Sequence, residues 1–495
     1  MMTISENFQL DGRLSNTSVI EKWPLASVKR PRRKVREISP RAIAQASLIL
    51  GRYGQVIPLL ITDDGTIIAG DEYYLAAGQL SWTHVTIVRI SEISDDDRRA
   101  LTLALSRIPQ LSNWDESTLQ MELAELVALS LDFDILDMTG FTVGELDVIL
   151  DPASRKDEPN PLDTLPPTPI EHAVVTRPGD LWALGLHRII CGNALESEIY
   201  QRLMGEKLAR MLLTDPPYNI RIAGNVSGLG RTKHNDFAMG VGEMSSTEFS
   251  TFLELMLRFT SIYLLDGALV YVFMDRRKLG ELLTAAETAG LKILDLCIWN
   301  KMSGGMGGLY RSQHEPCFVF KYGQSPHLNN VQLGKHGRYR TNMWDHRGYS
   351  SFGKGRDDAL KSHPTVKPVA LLAEAIKDCT KRGDIVLDPF AGSGSTIIAA
   401  EKTGRIGFGI ELEPKYVDVI IQRWEAMTGR VAVLEATGAT YSKTRKDRLE
   451  NRSDINRKSS SLREPDRNAS GAEVVVARIR QRPTAQSSAM EATHD

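Results

Sequence analysis

The residues best suited to chemistry are Thr214-Asp215-Pro216-Pro217-Tyr218-Asn219, which follow the apolar run Met211-Leu212-Leu213. An apolar run ending in a carboxylate and two prolines predicts a buried strand that stops where proline can no longer donate to a ladder. Tandem proline removes two backbone donors and stiffens the turn. The Asp215 carboxylate and the Pro216 carbonyl then stand as fixed acceptors beside the Tyr218 ring. That set suits a planar base with an exocyclic amino group, whose N–H bonds the acceptors take while the ring stacks on its face. The same residues also fit a proline-stopped strand carrying a surface aspartate.

A second stretch lies far downstream, at Asp384-Ile385-Val386-Leu387-Asp388-Pro389-Phe390-Ala391-Gly392-Ser393-Gly394-Ser395-Thr396. An apolar strand runs into Gly-x-Gly and then a helical pattern, so the glycines occupy a strand-to-helix turn that a ligand can approach closely. Only two dinucleotide-fingerprint glycines are present and no lysine follows, which argues against a phosphate-binding loop. The next strand, Ile406-Gly407-Phe408-Gly409-Ile410, ends in Glu411, placed to hold ribose hydroxyls. The pattern predicts an adenosine-containing ligand without a pyrophosphate, and S-adenosylmethionine is the candidate.

Together these residues resemble the amino-methylating DNA methyltransferases, which modify adenine N6 or cytosine N4. The resemblance rests on Asp215-Pro216-Pro217-Tyr218, on Asp388 through Thr396, and on His363-Pro364-Thr365-Val366-Lys367-Pro368. The catalytic motif precedes the cofactor motif, the permuted order of the β class. The resemblance covers roughly residues 173 to 430, with one departure: Cys191-Gly192-Asn193-Ala194 stands where the family usually has Gly-Asp. It implies a Rossmann-like α/β sheet, with Asp215, Pro216, Pro217 and Tyr218 catalytic. Asp388, Pro389, Phe390, Ala391, Gly392, Gly394, Ser395, Thr396 and Glu411 would line the S-adenosylmethionine pocket, with Thr365 and Lys367 near it. His363 is placed in a turn, not as a general base. Asp before the prolines leans toward adenine N6, with cytosine N4 as the alternative. The implied partner is double-stranded DNA, in a restriction-modification or an orphan setting, and a homodimer is left open.

Composition adds bounds. The 495 residues carry 42% hydrophobic residues, enough for two to four ordinary domains. A net charge of −2 means that any DNA-binding surface must come from local clustering. The four cysteines have no Cys-x-x-Cys spacing, so neither zinc nor a disulfide framework is indicated, and a reducing cytoplasm, with nucleoid association, is the expected compartment. No apolar stretch has the length of a signal peptide or a membrane span.

The elements that must position these motifs fall into five segments. Residues 1–34 read as a polar arm ending in the basic run from Lys29, solvated or touching phosphate. Residues 35–151 carry a helix around Ile43, Ala46 and Leu50, strands on either side of Asp63-Asp64-Gly65, a short helix from Asp71 and a strand at His84–Val88. They resemble a smaller α+β ParB-like domain, with a helical extension marked by Leu131–Ile135 and Thr139-Gly140-Phe141. Its nucleotide motif is replaced by Gly70-Asp71-Glu72-Tyr73-Tyr74, without arginines, so a role in positioning DNA or docking protein is favoured over triphosphate binding. A non-enzymatic ParB-type DNA-binding protein is the rival class for the whole chain; it would leave the glycine turn idle.

Residues 152–172, with six prolines from Pro152 to Pro169, predict an extended linker. The catalytic domain is placed at 173–437. Within it, a Gly-rich basic loop over 221–240 holds Arg231 and Lys233, and reads as a lid or as plain disorder. A second basic loop holds Arg311. Residues 321–361 carry eight Lys/Arg against three Asp, interleaved with Tyr and Trp. This mixture suits DNA, with Arg338, Arg340 and Trp344 as candidate contacts in the target-recognition region. Residues 438–495 read as a disordered basic tail.

Overall fold

The computed structural model describes residues 20–129, 137–150, 161–169, 173–220, 243–302, 304, 310–331, 340–348 and 366–450. Residues 20–441 belong to one compact unit, and residues 442–450 are helical within a second.

The first domain is built on a four-stranded sheet of β1 (Ile20–Pro24), β2 (Leu59–Thr62), β3 (Ile67–Ala69) and β4 (His84–Ile90), in the order β1-β4-β2-β3. Helix α1 (Pro40–Tyr53) starts where the Ser39 hydroxyl accepts from Ala42 N at 3.1 Å and Pro40 occupies the first turn. It buries Ala46 and Leu50 against Ile61 and Ile87. Helix α2 (Asp71–Gln79) completes the domain, followed by α3 (Asp95–Arg107), α4 (Glu116–Leu129) and α5 (Val143–Leu150). Residues 131–135 of the expected helical extension lie outside the described residues.

Two expectations for this half are corrected. The N-terminal arm does not extend to residue 34: β1 pairs antiparallel with β4 and Val28 is buried. An edge strand buries only alternate residues by half, so its period is faint in the sequence. Arg30, expected in a solvated run, instead donates from Nε to Asp71 Oδ1 at 2.6 Å.

The second domain holds an eleven-stranded sheet. Its strands are β5 (Leu181–Leu184), β6 (His187–Cys191), β7 (Ala209–Thr214), β8 (Leu264–Phe273), β9 (Lys292–Asn300), β10 (His314–Lys321), β11 (Met343–Asp345), β12 (Ile385–Asp388), β13 (Ile406–Glu411), β14 (Val433–Leu434) and β15 (Ala439–Thr440). The order is β11-β9-β10-β8-β7-β12-β13-β6-β5-β14-β15. Strands β8, β7, β12, β13 and β6 are parallel, and antiparallel strands extend the sheet on both sides. Helices α6 (Ser197–Met204), α7 (Ser246–Ser261), α8 (Leu279–Thr288), α9 (Val369–Cys379), α10 (Ser395–Thr403) and α11 (Pro414–Thr428) accompany it. Two large clusters of buried apolar side chains draw on alternate residues of the central strands. The central strands therefore read as continuous apolar runs rather than alternating ones. The whole is α/β and Rossmann-like.

The boundaries on either side also shift. Within the proline-rich stretch, Asp163 is buried and its Oδ1 accepts from Val369 N at 2.7 Å, so the linker packs onto the first turn of α9 instead of spanning free. Residues 439–450 are a strand and helix, not tail, because Tyr441 buries its ring against Trp182, centroids 5.5 Å apart. The N-terminal helical region meets the catalytic domain at a buried ion pair, Arg405 Nη1 to Asp147 Oδ1 at 2.7 Å and Nη2 to Oδ2 at 2.8 Å.

Candidate active site

Strands β7 and β12 are neighbours, with Leu212 opposite Leu387. From this pair the chain proceeds outward in opposite directions, β7 to β8 and β12 to β13, which makes their carboxyl ends the switch point where open α/β sheets bind ligands. Asp215 leaves β7 there, while Asp388 ends β12 and Glu411 ends β13. Asp388 is buried and fully engaged: Oδ1 accepts from Thr214 Oγ1 at 3.0 Å and from Phe390 N at 3.1 Å, and Oδ2 from Thr396 Oγ1 at 2.6 Å. It thus ties the turn at Asp215 to the glycine turn. Burial lifts its carboxyl to about 6 despite those donors.

Residues Pro389 to Gly394 make the turn into α10, whose first residues are Ser395 and Thr396. Gly392 and Gly394 adopt φ of +54° and +82°. A Cβ on Gly394 would lie 2.7 Å from Ile420 Cγ1, so both backbone and packing require glycine there. Ala391 N donates to Ile410 O at 2.9 Å, and Gly392 N to Glu411 Oε2 at 2.8 Å, which fastens the turn to β13. Glu411 Oε1 accepts from Glu413 N at 2.8 Å. Each of its oxygens keeps a lone pair for a further donor, and burial pushes the carboxyl up to about 7. The donor set fits an adenosine ligand: a carboxylate for paired hydroxyls beside a glycine turn that lacks a phosphate-binding cation in its sequence. Below the turn, Arg423 Nη1 donates to Ser393 O at 2.6 Å and Nη2 to Leu162 O at 2.9 Å, so the packed linker also braces it.

Across β7 lies a cluster of charged side chains. Asp215 bonds to Lys367 Nζ through Oδ2 and to the Tyr218 hydroxyl through Oδ1. Glu315, at the start of β10, receives the Tyr218 hydroxyl at 2.7 Å and Lys367 Nζ at 2.8 Å on Oε1, and Lys301 Nζ at 2.6 Å on Oε2. The Lys367 ammonium also lies 4.9 Å from the Phe273 ring centroid. Burial raises the Asp215 carboxyl, opposed by Lys367 and reinforced by Glu315. For Glu315 burial acts upward too, yet the two ammoniums prevail and hold the carboxyl at about 2. Asn219, at φ +52°, closes the turn: its side chain donates to Met244 O at 2.7 Å and accepts from Met244 N at 3.1 Å.

The structure therefore brings together Asp215, Pro216, Pro217 and Tyr218 with the glycine turn. Lys367 reaches Asp215 and Glu315 rather than the glycine turn. Thr365, His363, Arg231, Lys233 and Arg338 lie outside the described residues, as does the whole of the 221–240 loop. Arg311 is exposed and donates to Gly304 O at 2.7 Å. The expectation that Trp344 and Arg340 face DNA is corrected. Trp344 is 3% exposed, and β11, which carries it, pairs parallel with β9. Arg340 lies over the Trp344 ring at 5.4 Å and bonds Asp378 Oδ2 at 3.2 Å. Their aromatic and cationic character serves packing here, since a ring with no exposed face cannot stack on a base. Neither Glu315 nor Lys301 stands out in the sequence as a site residue. The available signal was a carboxylate directly preceding the apolar run Pro316–Phe320. Among the described residues no group of His, Cys, Asp and Glu could hold a metal ion, and no helix is long and apolar enough to cross a membrane.

Parts of the chain are similar to known proteins. Residues 209–423 match the DNA methylase family, and residues 117–178 match the ParB-methyltransferase HTH domain. The chain is 27% identical over 256 residues to Type II methyltransferase M.HinfI of Haemophilus influenzae, covering 48% of this chain and 68% of that protein. It is 25% identical over 259 residues to Type II methyltransferase M.HpaI of Haemophilus parainfluenzae, covering 48% and 74%. Among solved structures, the M1.HpyAVI–SAM complex is similar with a TM-score of 0.36 and 21% identity, over 48% of this chain and 97% of that one.

Proposed function

We propose that the S-adenosylmethionine-dependent DNA methyltransferase of the amino-methylating N6/N4 family carried by residues 209–423 acts on the exocyclic N6 of adenine, flipped out of duplex DNA. The observation that carries this reading is the pairing of β7 with β12, which sets the Asp215 acceptors beside the glycine turn. When bound, S-adenosylmethionine supplies an electrophilic methyl group. Glu411 would accept its ribose hydroxyls, and the turn from Phe390 to Gly392 would hold its adenosine.

The work left to the chain is on the amine. An exocyclic nitrogen shares its lone pair with the ring and is a poor nucleophile. Asp215 and the Pro216 carbonyl accept its two N–H bonds, which fixes the nitrogen and concentrates the lone pair on it. Asp215, whose carboxyl is raised by burial, then takes the proton that the methylated nitrogen sheds. The Tyr218 ring packs on the base while its hydroxyl stays anchored between Asp215 and Glu315. No covalent enzyme intermediate is required, and none of the four cysteines adjoins the Pro216-Pro217 turn.

Cytosine N4 is the second reading, because the same acceptors grip either amine; the aspartate at position 215 favours adenine. The test is to express the full chain in cells lacking DNA methylation, digest their DNA and identify nucleosides by mass spectrometry. N6-methyladenine is expected, N4-methylcytosine alone would select the second reading, and neither would overturn both.

A further inference from the structure

Asp215 is expected to grip an amine, yet in the structure both of its oxygens already hold partners, Lys367 on Oδ2 and Tyr218 on Oδ1. Lys367 raises a specific difficulty. An ammonium within bonding distance of Asp215 would also lie within reach of an amine bound there, and would donate into the lone pair that has to attack. Lys367 must therefore be drawn aside when the base enters. The destination is already built: Glu315 Oε1 lies 2.8 Å from Lys367 Nζ, and Glu315 has 11% of its side chain exposed. The lysine's four-carbon stem swings between two carboxylates without leaving the pocket.

We propose that Glu315 is a positioning residue for methyl transfer, the anchor onto which Lys367 withdraws so that Asp215 is free to hold the target amine. This rests on the reading of Asp215 as the amine acceptor. Lys301, bonded to the other oxygen of Glu315 at 2.6 Å, keeps that anchor ionised and in place. The charges that face Asp215 are Lys367 from the segment before α9, Glu315 from β10, with Lys301 behind it, and Asp388 from β12; the neutral neighbours are the Tyr218 phenol and the Cys317 thiol. Counting Asp215, Glu315, Lys301 and Lys367, the cluster is neutral. Removing Glu315 leaves an excess cation that settles on Asp215, and removing Lys367 leaves an excess anion.

The two single changes therefore pull in opposite directions. Glu315→Gln leaves Lys367 with Asp215 as its only carboxylate partner in the cluster. Single-turnover transfer should fall about tenfold or more, and its acid limb should move to lower pH because a like charge has gone. Lys367→Met should move the acid limb to higher pH, since the cation that keeps Asp215 ionised is lost. The double variant restores neutrality and has no ammonium to cap Asp215, so it should transfer faster than Glu315→Gln alone.

The experiment uses the full chain, tritiated S-adenosylmethionine and methylation-free genomic DNA, with rates across pH and cofactor affinity by calorimetry on each variant. Glu315→Asp, which keeps the charge, should retain the wild-type acid limb even if its rate drops. Acid limbs that separate as stated, with the double variant faster than Glu315→Gln, support the role. Limbs that stay together, or a double variant no faster, overturn it while leaving the methyltransferase reading intact. If Glu315→Gln does not fold, an unmoved acid limb in Lys367→Met overturns the role by itself. Wild-type protein that puts no methyl group into DNA overturns the parent reading and this inference with it.

Discussion

The hydroxyl of Thr214 donates to the carboxylate of Asp388 across 3.0 Å, joining residues 174 positions apart. One residue after Thr214 comes Asp215, the proposed amine acceptor, and directly after Asp388 begins the glycine turn. The bond sets the spacing between the two halves of the site. Thr214→Val should remove it and leave Asp388, 4% exposed, short of a donor. Loss of a bond to a buried carboxylate costs about 1.5–3 kcal/mol. Denaturant melts should show that loss, and calorimetry should show weaker S-adenosylmethionine binding. A variant with unchanged stability and affinity would mean that the strands alone hold the spacing.

Asp215 belongs to the base half. Asp215→Ala should abolish methyl transfer to DNA and leave cofactor affinity largely intact, measured by tritium transfer and calorimetry in parallel. Equal loss of both would make Asp215 a structural residue.

Glu411 couples the cofactor half to pH. Burial raises its carboxyl from the ordinary carboxylate range to about 7, and Asp388 rises to about 6 for the same reason. A raised carboxyl binds more protons folded than unfolded. The stability it contributes is thus complete below the ordinary range and is lost as pH climbs through 6 to 7. The ligand-free protein should therefore lose stability from pH 5 to pH 8, and Glu411→Gln should flatten part of that slope. Cofactor affinity should run the other way, weakening below about pH 7 as the hydroxyl acceptor becomes protonated. Thermal melts and calorimetry from pH 5 to 8.5 check both signs, and an affinity independent of pH would argue against Glu411 as that acceptor.

The junction between domains makes a separate prediction. Arg405 and Asp147 are each 2% exposed and form a two-bond pair, with Arg382 Nε a further 3.8 Å from Asp147. Removing one partner strands a buried charge, at a cost of about 3–5 kcal/mol. Asp147→Leu should destabilise the full chain by that order and raise proteolytic cleavage within residues 137–169. Asp147→Leu with Arg405→Met should recover much of the loss. A double variant as unstable as the single would show that the packing around the pair, not the charge, holds the junction.

Local chemistry alone settles a good part of this protein. Proline at 216 and 217 must end a strand, glycine at 392 and 394 must make a turn, and the apolar runs before both must be buried strands of a parallel sheet. The two turns follow from these residues alone, because each turn is contiguous in the chain. Periodicity, however, reports how much of a residue is buried and says nothing of which strand lies beside it. That β7 pairs with β12 across most of the domain, and that antiparallel β10 begins at the same sheet edge and delivers Glu315 there, depends on how both faces of the sheet pack at once. The same limit explains Trp344 and Arg340. A ring and a cation in a basic stretch have identical local chemistry whether they meet phosphate or fold inward, and only the tertiary position of β11 against β9 turned them into core.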